Sequence, residues 1–202
     1  MNHYFTDNTE MHHNRKELSF RFCGVLYTFI SDAGVFSKDS VDYGTSVLID
    51  TCYKNQIKGK TLDLGCGYGP IAIILQKALG LEMVAVDVNS RAVELTSENA
   101  VRNKANVRTL VSDGINLNET FDTIVTNPPI RAGKEVVYRF FTEAYDHLTI
   151  NGELWVVIRK QQGAESAIKK LKEIFNNCEI VEKSKGYFIL KCQKKIDLLT
   201  NN

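Results

Sequence analysis

Two stretches combine residue types and spacings suited to chemistry. In the first, Asp63, Gly65, Gly67 and Gly69 alternate with Leu64, Cys66 and Tyr68, and Pro70 follows. Alternate glycines keep side chains off a loop, so its backbone can approach a ligand closely. The spacing is Gly-x-Gly-x-Gly, not the Gly-x-Gly-x-x-Gly of a pyrophosphate-binding dinucleotide loop. Asp63 would repel a phosphate and suits a cationic or zwitterionic ligand instead. The second stretch is Asn127-Pro128-Pro129 at the end of an apolar run from Phe121. Two prolines there offer no ladder donor and hold the chain extended and stiff. The Asn127 side chain and the neighbouring Pro128 carbonyl become two fixed acceptors. Such a pair grips both N–H bonds of an amine and turns its lone pair toward an electrophile. In isolation Asn-Pro-Pro reads more simply as a strand-ending turn; its company favours catalysis.

That company is a series of acids at the ends of apolar runs. Asp87 closes Met83–Asp87, and Asp113 closes Val107–Asp113. An acid after the second strand is where a doubly wound sheet places a ribose-binding carboxylate, and the competing account of Asp87 is a charge at a helix N-terminus. Asp113 is suited to accept from an adenine amine, with a plain Asp-Gly turn as its rival. Together with Asp63 these acids ask for a ligand with an ammonium, a ribose and an adenine but no phosphate, and S-adenosylmethionine meets that description. The expected cofactor set is Asp63, Gly65, Cys66, Gly67, Asp87, Val88, Asp113, Gly114 and Asn127, with Phe36 as a wall. Cys66 is expected as a small packing residue rather than a nucleophile. Ile130, Arg131 and Lys134 follow the prolines at the presumed substrate mouth, where the two cations either hold a phosphate or belong to a solvated loop.

The elements that must position these residues are legible in the hydrophobic pattern. Leu18, Phe20, Phe22 and then Leu26, Thr28, Ile30 alternate about Cys23-Gly24, which predicts a β-hairpin. It either packs on the body or forms a flap over a site. A helix from Val41 to about Tyr53 follows, capped from Ser37, Asp39 or Ser40. Asp42, Tyr43, Gly44 and Thr45 are odd within it, and a helical Gly needs a packing or ligand reason. Helices are predicted after Pro70, after Asn89 or Ser90, from Val136 to Leu148 and from Ala164 to Asn176. A strand covers Glu153–Ile158, and a closing hairpin covers Cys178–Glu182 and Tyr187–Cys192 through Lys185-Gly186. Alternating strands and helices mean a doubly wound α/β fold, mostly parallel, with helices on both faces and ligands at the carboxyl ends of the strands. The expected divisions are 1–38 for an N-terminal extension with the hairpin, 39–195 for the main domain and 196–202 for a polar tail.

The bulk properties constrain the reading further. With 202 residues, 44% hydrophobic and 24% charged, the chain suits one globular domain. A net charge of +1 gives no strong polyelectrolyte attraction to nucleic acid, so any RNA binding must rest on local patches. No apolar run suits a bilayer span and no signal peptide is evident. Five scattered cysteines without Cys-x-x-Cys fit free thiols in a reducing cytosol; no metal, no membrane and a cytoplasmic location are expected. Histidines 3, 12 and 13 read as a solvated tail.

Asp63 to Gly69, Asp87, Asp113 and Asn127-Pro128-Pro129 together resemble a class I S-adenosylmethionine-dependent methyltransferase. The likeness covers the chain from about residue 32 and implies a Rossmann-like seven-stranded sheet. The segments Gly34 to Lys38, Asp42 to Gly44 and Asn127 to Lys134 resemble, more narrowly, the bacterial small-subunit (16S) rRNA guanine-N2 methyltransferases, in their short single-domain Gram-positive form. That resemblance implies ribosomal RNA or the small subunit as partner and guanine N2 as acceptor; the spacing by itself implies only an amine held by Asn127. Amine methyltransferases that act on adenine N6 or glutamine N5 usually place Tyr or Phe after the second Pro, where Ile130 stands here. Phe36, Tyr43 or another aromatic is then expected to cover the base. The alternatives are a protein-glutamine or small-amine methyltransferase, a non-catalytic ribosome assembly factor and a nicotinamide-dependent oxidoreductase.

Overall fold

A buried strand near the middle of the sheet sets the architecture. In the computed structural model, which describes residues 14–33, 35 and 40–196, β3 (Lys60–Leu64) is covered on both faces. Leu62 and Leu64 turn to one side and Asp63 to the other, as the two-residue period of a strand requires. The strands β4 (Glu82–Asp87), β5 (Val107–Val111), β6 (Phe121–Thr126), β7 (Leu148–Arg159), β8 (Glu179–Ser184) and β9 (Tyr187–Gln193) complete one seven-stranded sheet, in the order β5-β4-β3-β6-β7-β9-β8. Pairings from β5 through β7 are parallel, and β9 runs antiparallel to both its neighbours. The order reverses between β3 and β6, and crevices for ligands form at such a switch point.

The helices divide between the two faces. Helices α1 (Tyr43–Lys54), α2 (Pro70–Leu79) and α3 (Ser90–Arg102) bury Leu48, Ile49, Ile73 and Leu95 on one face. Helices α4 (Lys134–His147) and α5 (Ala164–Phe175) bury Phe140, Phe141, Leu171 and Phe175 on the other. Near-continuous burial along β3, β4 and β6 is what a parallel sheet covered on both sides demands.

The N-terminal hairpin, β1 (Lys16–Phe22) and β2 (Val25–Ser31), turns through Cys23 and Gly24, both at positive φ. That is the two-residue turn whose twist matches antiparallel strands. Leu18, Phe22, Tyr27 and Phe29 join the core on the α1–α3 face. The free edge of β2 is met by two asparagines of α3. Asn99 and Asn103 each accept from and donate to one β2 residue, Ile30 and Thr28 respectively, at 2.7–3.1 Å. The hairpin thus packs on the body rather than reaching over a site. The helix expected from Val41 begins at Tyr43, and its cap is Asp42, whose Oδ2 accepts from the Thr45 N–H at 3.1 Å. None of the expected caps is seen in that role: Ser40 lies two residues before Asp42, and Ser37 and Asp39 lie outside the described residues.

Candidate active site

The carboxyl ends of β3 and β6 lie side by side at the switch point. Thr126 Oγ1 donates to the Leu64 carbonyl at 2.7 Å, which locks the end of β6 to the end of β3. Asn127 is thereby held beside the glycine loop. Two clefts open there, of about 270 and 220 Å³, and Gly65, Asp87, Asn127 and Pro129 line both.

The loop after β3 is held from below. The amides of Gly65 and Cys66 both donate to the Val86 carbonyl at 2.9 Å, and that of Gly67 donates to Asp87 Oδ2 at 2.9 Å. Gly65 and Gly67 have φ of +80° and +58°, which a side chain would strain. A Cβ on either would find its nearest neighbours only at 3.6 and 4.0 Å, so the space above the loop is open to a ligand. The Cys66 thiol is buried, lies 3.5 Å from Thr96 Oγ1, and is pushed well above its ordinary range by burial. Burial thereby disfavours the thiolate that a nucleophile needs.

Asp63 sits beneath the loop and lines neither cleft. Its Oδ2 accepts from the Ala72 N–H at 3.1 Å. Ala72 is the third residue of α2, whose cap position is Gly69 and has no side chain to offer. Asp63 therefore takes over the capping of a helix N-terminus, where negative charge is favoured. Its Oδ1 is buried without a hydrogen-bond partner. Burial raises the carboxyl to about 7. An orphaned carboxylate oxygen under an open glycine loop fits a ligand that carries an ammonium.

Asp87 is buried at the end of β4, where Oδ2 takes the Gly67 amide and Oδ1 the Asn89 amide, each at 2.9 Å. Each oxygen keeps a lone pair for ribose hydroxyls. Burial raises this carboxyl as well. Val88, Asp113 and Gly114 line the second cleft. Asp113 is exposed and paired with Arg139, which lowers its pKa through the hydrogen bond. The residues fit S-adenosylmethionine: an unpaired acid by the loop, an acceptor pair for a ribose, and a separate side cleft. Phe36 lies outside the described residues.

On the acceptor side, Asn127 Nδ2 donates to Thr45 Oγ1 at 2.9 Å. The amide is fixed in rotation, and its carbonyl oxygen is left as an acceptor. The Pro128 carbonyl takes the Ile130 N–H at 2.8 Å and retains its second lone pair. Ile130 and Arg131 line the first cleft, whereas Lys134 lines neither. Residues that the sequence pattern left unassigned also face this cleft: Asp42, Thr45, Tyr68, Gln162 and Tyr187. Of the aromatics expected to cover a base, Tyr43 stands behind Tyr187, with ring centroids 5.9 Å apart. The oddness of Gly44 has a packing cause: a Cβ there would come within 2.6 Å of the Tyr187 ring. Thr45 carried a signal too, as part of the run from Asp42 that is odd within a helix, but its partner was not legible.

Fold and site together define a class I S-adenosylmethionine-dependent methyltransferase. The methyltransferase small domain model matches residues 26–191, and the chain belongs to that family. It is 46% identical over 197 residues to the Bacillus subtilis protein YbxB, itself uncharacterized, covering 95% of this chain and 98% of the relative. It is 30% identical over 188 residues to ribosomal RNA small subunit methyltransferase C of Vibrio cholerae, covering 89% of this chain and 53% of that one. Among solved structures, the 16S rRNA N2-guanine methyltransferase (RsmC) of T. thermophilus, in complex with AdoMet and guanosine, superposes with a TM-score of 0.82 at 27% identity. That match covers 90% of this chain and 51% of the other. The chain thus spans about half the length of the ribosomal RNA methyltransferases it matches. Among the described residues, no helix is long and apolar enough to cross a membrane.

Proposed function

We propose that this protein transfers a methyl group to the exocyclic N2 amine of guanine in 16S rRNA, and that Asn127 is the residue that holds the amine. The observation that carries this reading is the Thr45–Asn127 hydrogen bond. By occupying the amide nitrogen, it leaves Asn127 Oδ1 to accept one N–H of the acceptor, and the Pro128 carbonyl accepts the other. A guanine N2 has two such hydrogens and a lone pair delocalised into the ring. Gripping both hydrogens favours the geometry in which the lone pair points out of the ring plane, and it stabilises positive charge as it grows on nitrogen. Bound S-adenosylmethionine supplies an electrophilic methyl carbon on a cationic sulfur. Asn127 and the Pro128 carbonyl would hold the amine toward that carbon, stabilise the positive charge that grows on nitrogen as it takes the methyl, and leave its proton free to pass to water. No strong base is needed before attack.

In this reading Gly65 and Gly67 face the methionine portion, Asp63 acts on the ammonium from beneath the loop, directly or through water, Asp87 takes the ribose and Asp113 the adenine amine. Ile130 and Arg131 stand at the acceptor mouth, and Tyr187 takes the part of the missing aromatic after Pro129. The target base must leave its stack to enter the cleft. The relationship to the Vibrio and Thermus enzymes supports guanine over other amines.

The test is incubation with labelled S-adenosylmethionine and unmethylated small subunits or bare 16S rRNA, followed by digestion to nucleosides. The expected product is N2-methylguanosine, reduced about 100- to 1000-fold in Asn127→Ala, the loss typical of one oriented hydrogen-bonding group at a reacting centre. Label in protein or in another nucleoside would overturn the acceptor assignment.

A further inference from the structure

Beside the first cleft lies a group of cations with an unusual set of neighbours. Arg159 ends β7 and faces Tyr187, its partner in the β7–β9 register. Its guanidinium carbon lies 5.8 Å from the centre of the Tyr187 ring. Lys185, in the β8–β9 turn, places Nζ 4.8 Å from the centre of the Tyr43 ring. The two rings are themselves neighbours, and the Tyr43 hydroxyl is fixed at 2.8 Å from Ser184 Oγ. Lys160 follows Arg159, and its amide donates to the Gly186 carbonyl at 2.8 Å, tying the segment after β7 to the hairpin turn.

Arg159, Lys160 and Lys185 are exposed. None forms an ion pair with a carboxylate among the described residues. Other cations are matched, Lys60 and Arg108 with Glu119, Arg102 with Glu17, Arg139 with Asp113 and Lys191 with Glu153; what sets Arg159 and Lys185 apart is that each stands over one ring of a pair that reaches the cleft. Asp42 caps α1, and Glu182 accepts from the Lys183 N–H at 3.0 Å. Arg159 and Lys185 thus stand against the Tyr43–Tyr187 pair, and Tyr187 lines the cleft that Asn127 also lines. A ring beneath a cation restricts it without neutralising it.

We propose that Arg159, Lys160 and Lys185, held over or beside the Tyr43–Tyr187 pair, form a phosphate clamp for the single-stranded RNA that flanks the methylated nucleotide. This rests on the RNA reading above and adds the surface by which a nearly neutral protein grips a polyanion. A nucleotide extruded into the first cleft carries its 5′ and 3′ phosphates to the cleft rim, where the cations stand. Because Tyr187 lines the cleft with one part of its ring environment and meets Arg159 with another, the clamp adjoins the acceptor pocket directly.

The test measures binding of a fluorescein-labelled single-stranded RNA oligonucleotide by anisotropy across a salt series, in the full chain. Single-strand binding weakens with a logarithmic salt slope of about 0.7 per phosphate contact. An Arg159→Ala/Lys185→Ala variant is expected to lower the slope by about 1.4 and to bind about 25-fold more weakly at 0.1 M salt. Its affinity for S-adenosylmethionine and its melting temperature are expected to match the wild type. Lys169→Ala/Lys172→Ala, which removes the same charge from α5 on the opposite face of the sheet, is the control and is expected to change little. Equal losses in the two double variants, an unchanged salt slope, or no RNA binding by the wild type would each overturn the clamp. Product analysis separates the two claims. If the clamp variant loses RNA binding while the wild-type product is not N2-methylguanosine, the clamp stands and the acceptor reading falls. If the variant forms N2-methylguanosine at the wild-type rate under limiting RNA, the reverse holds.

Discussion

Asp63 serves two masters at the scale of single residues, and its titration distinguishes them. One oxygen caps α2 and the other has no partner, so burial raises the carboxyl from 3.8 to about 7. A folded value above the unfolded one means that the folded state holds the proton more tightly. The associated stability is complete below about pH 4 and is lost as pH rises through about 7. The gap corresponds to on the order of 4 kcal/mol. Asp63→Asn keeps an acceptor for the Ala72 amide and cannot ionise. Its melting temperature relative to wild type is therefore expected to rise between pH 4.5 and 7.5 in ligand-free protein, and a flat difference would show that Asp63 does not titrate there. Thr45 supports a second prediction. Thr45→Val removes the acceptor for Asn127 Nδ2 at nearly constant volume and is expected to lower kcat about tenfold with cofactor affinity unchanged, whereas Thr45→Ser should restore most of it. An equal loss in both variants would mean that Thr45 acts by packing alone. The acid and glycine positions were legible in the sequence because their spacing is local. The Thr45–Asn127 contact was not, since it joins residues separated by 82 positions.

Among the elements, α1 is the one whose details were least legible, and it holds Asn127 through Thr45. Its first turn carries the cap Asp42, the Tyr187 packing surface at Gly44 and the hydroxyl of Thr45. Gly44 weakens the helix by about 1 kcal/mol relative to Ala in an open context. Here Ala would collide with the Tyr187 ring at 2.6 Å, so the usual gain becomes a loss. Gly44→Ala is expected to destabilise the protein by roughly 1–3 kcal/mol, as overpacking does, and to move Tyr187 in the cleft. Chemical denaturation together with tyrosine fluorescence would check both parts, and a stabilised variant would refute the packing account. The hydrophobic pattern marked this helix correctly from Val47 onward. It misplaced the start because Val41 is apolar but precedes the cap, and the carboxylate that accepts from Thr45 N–H belongs to Asp42 rather than to an earlier Ser or Asp. By contrast the two hairpin turns, Cys23-Gly24 and Lys185-Gly186, were legible because their local chemistry suffices to determine them.

For the whole molecule, the alternation of strands and helices was sufficient to predict a doubly wound sheet, because parallel strands need crossovers and crossovers have one preferred hand. How the N-terminal hairpin joins that sheet was not legible, since β2 pairs with no strand of it. The joint is made by side chains, and Asn99 is its centre. Its Nδ2 donates at 2.9 Å both to the Ile30 carbonyl and to the Tyr68 carbonyl, while its Oδ1 accepts from the Ile30 N–H at 2.7 Å. One fully buried amide therefore ties the hairpin edge to the glycine loop that lines the clefts. Asn99→Ala would leave three backbone groups without partners, the Tyr68 carbonyl buried and the two of Ile30 partly buried, and a buried unsatisfied group costs about 1–3 kcal/mol. The expected loss is roughly 3–5 kcal/mol, or on the order of 10 °C in melting temperature for a chain of this length. Because the Tyr68 carbonyl lies within the loop, S-adenosylmethionine should also bind more weakly to the variant than to wild type at a temperature where both are folded. Asn103→Ala provides the comparison, since Asn103 bonds Thr28 of the same β2 edge but makes no contact with the loop. It should lower the melting temperature while leaving cofactor affinity intact. If calorimetry found equal cofactor affinity in both variants, the hairpin and the loop would be energetically independent, and Asn99 would be a structural bond alone.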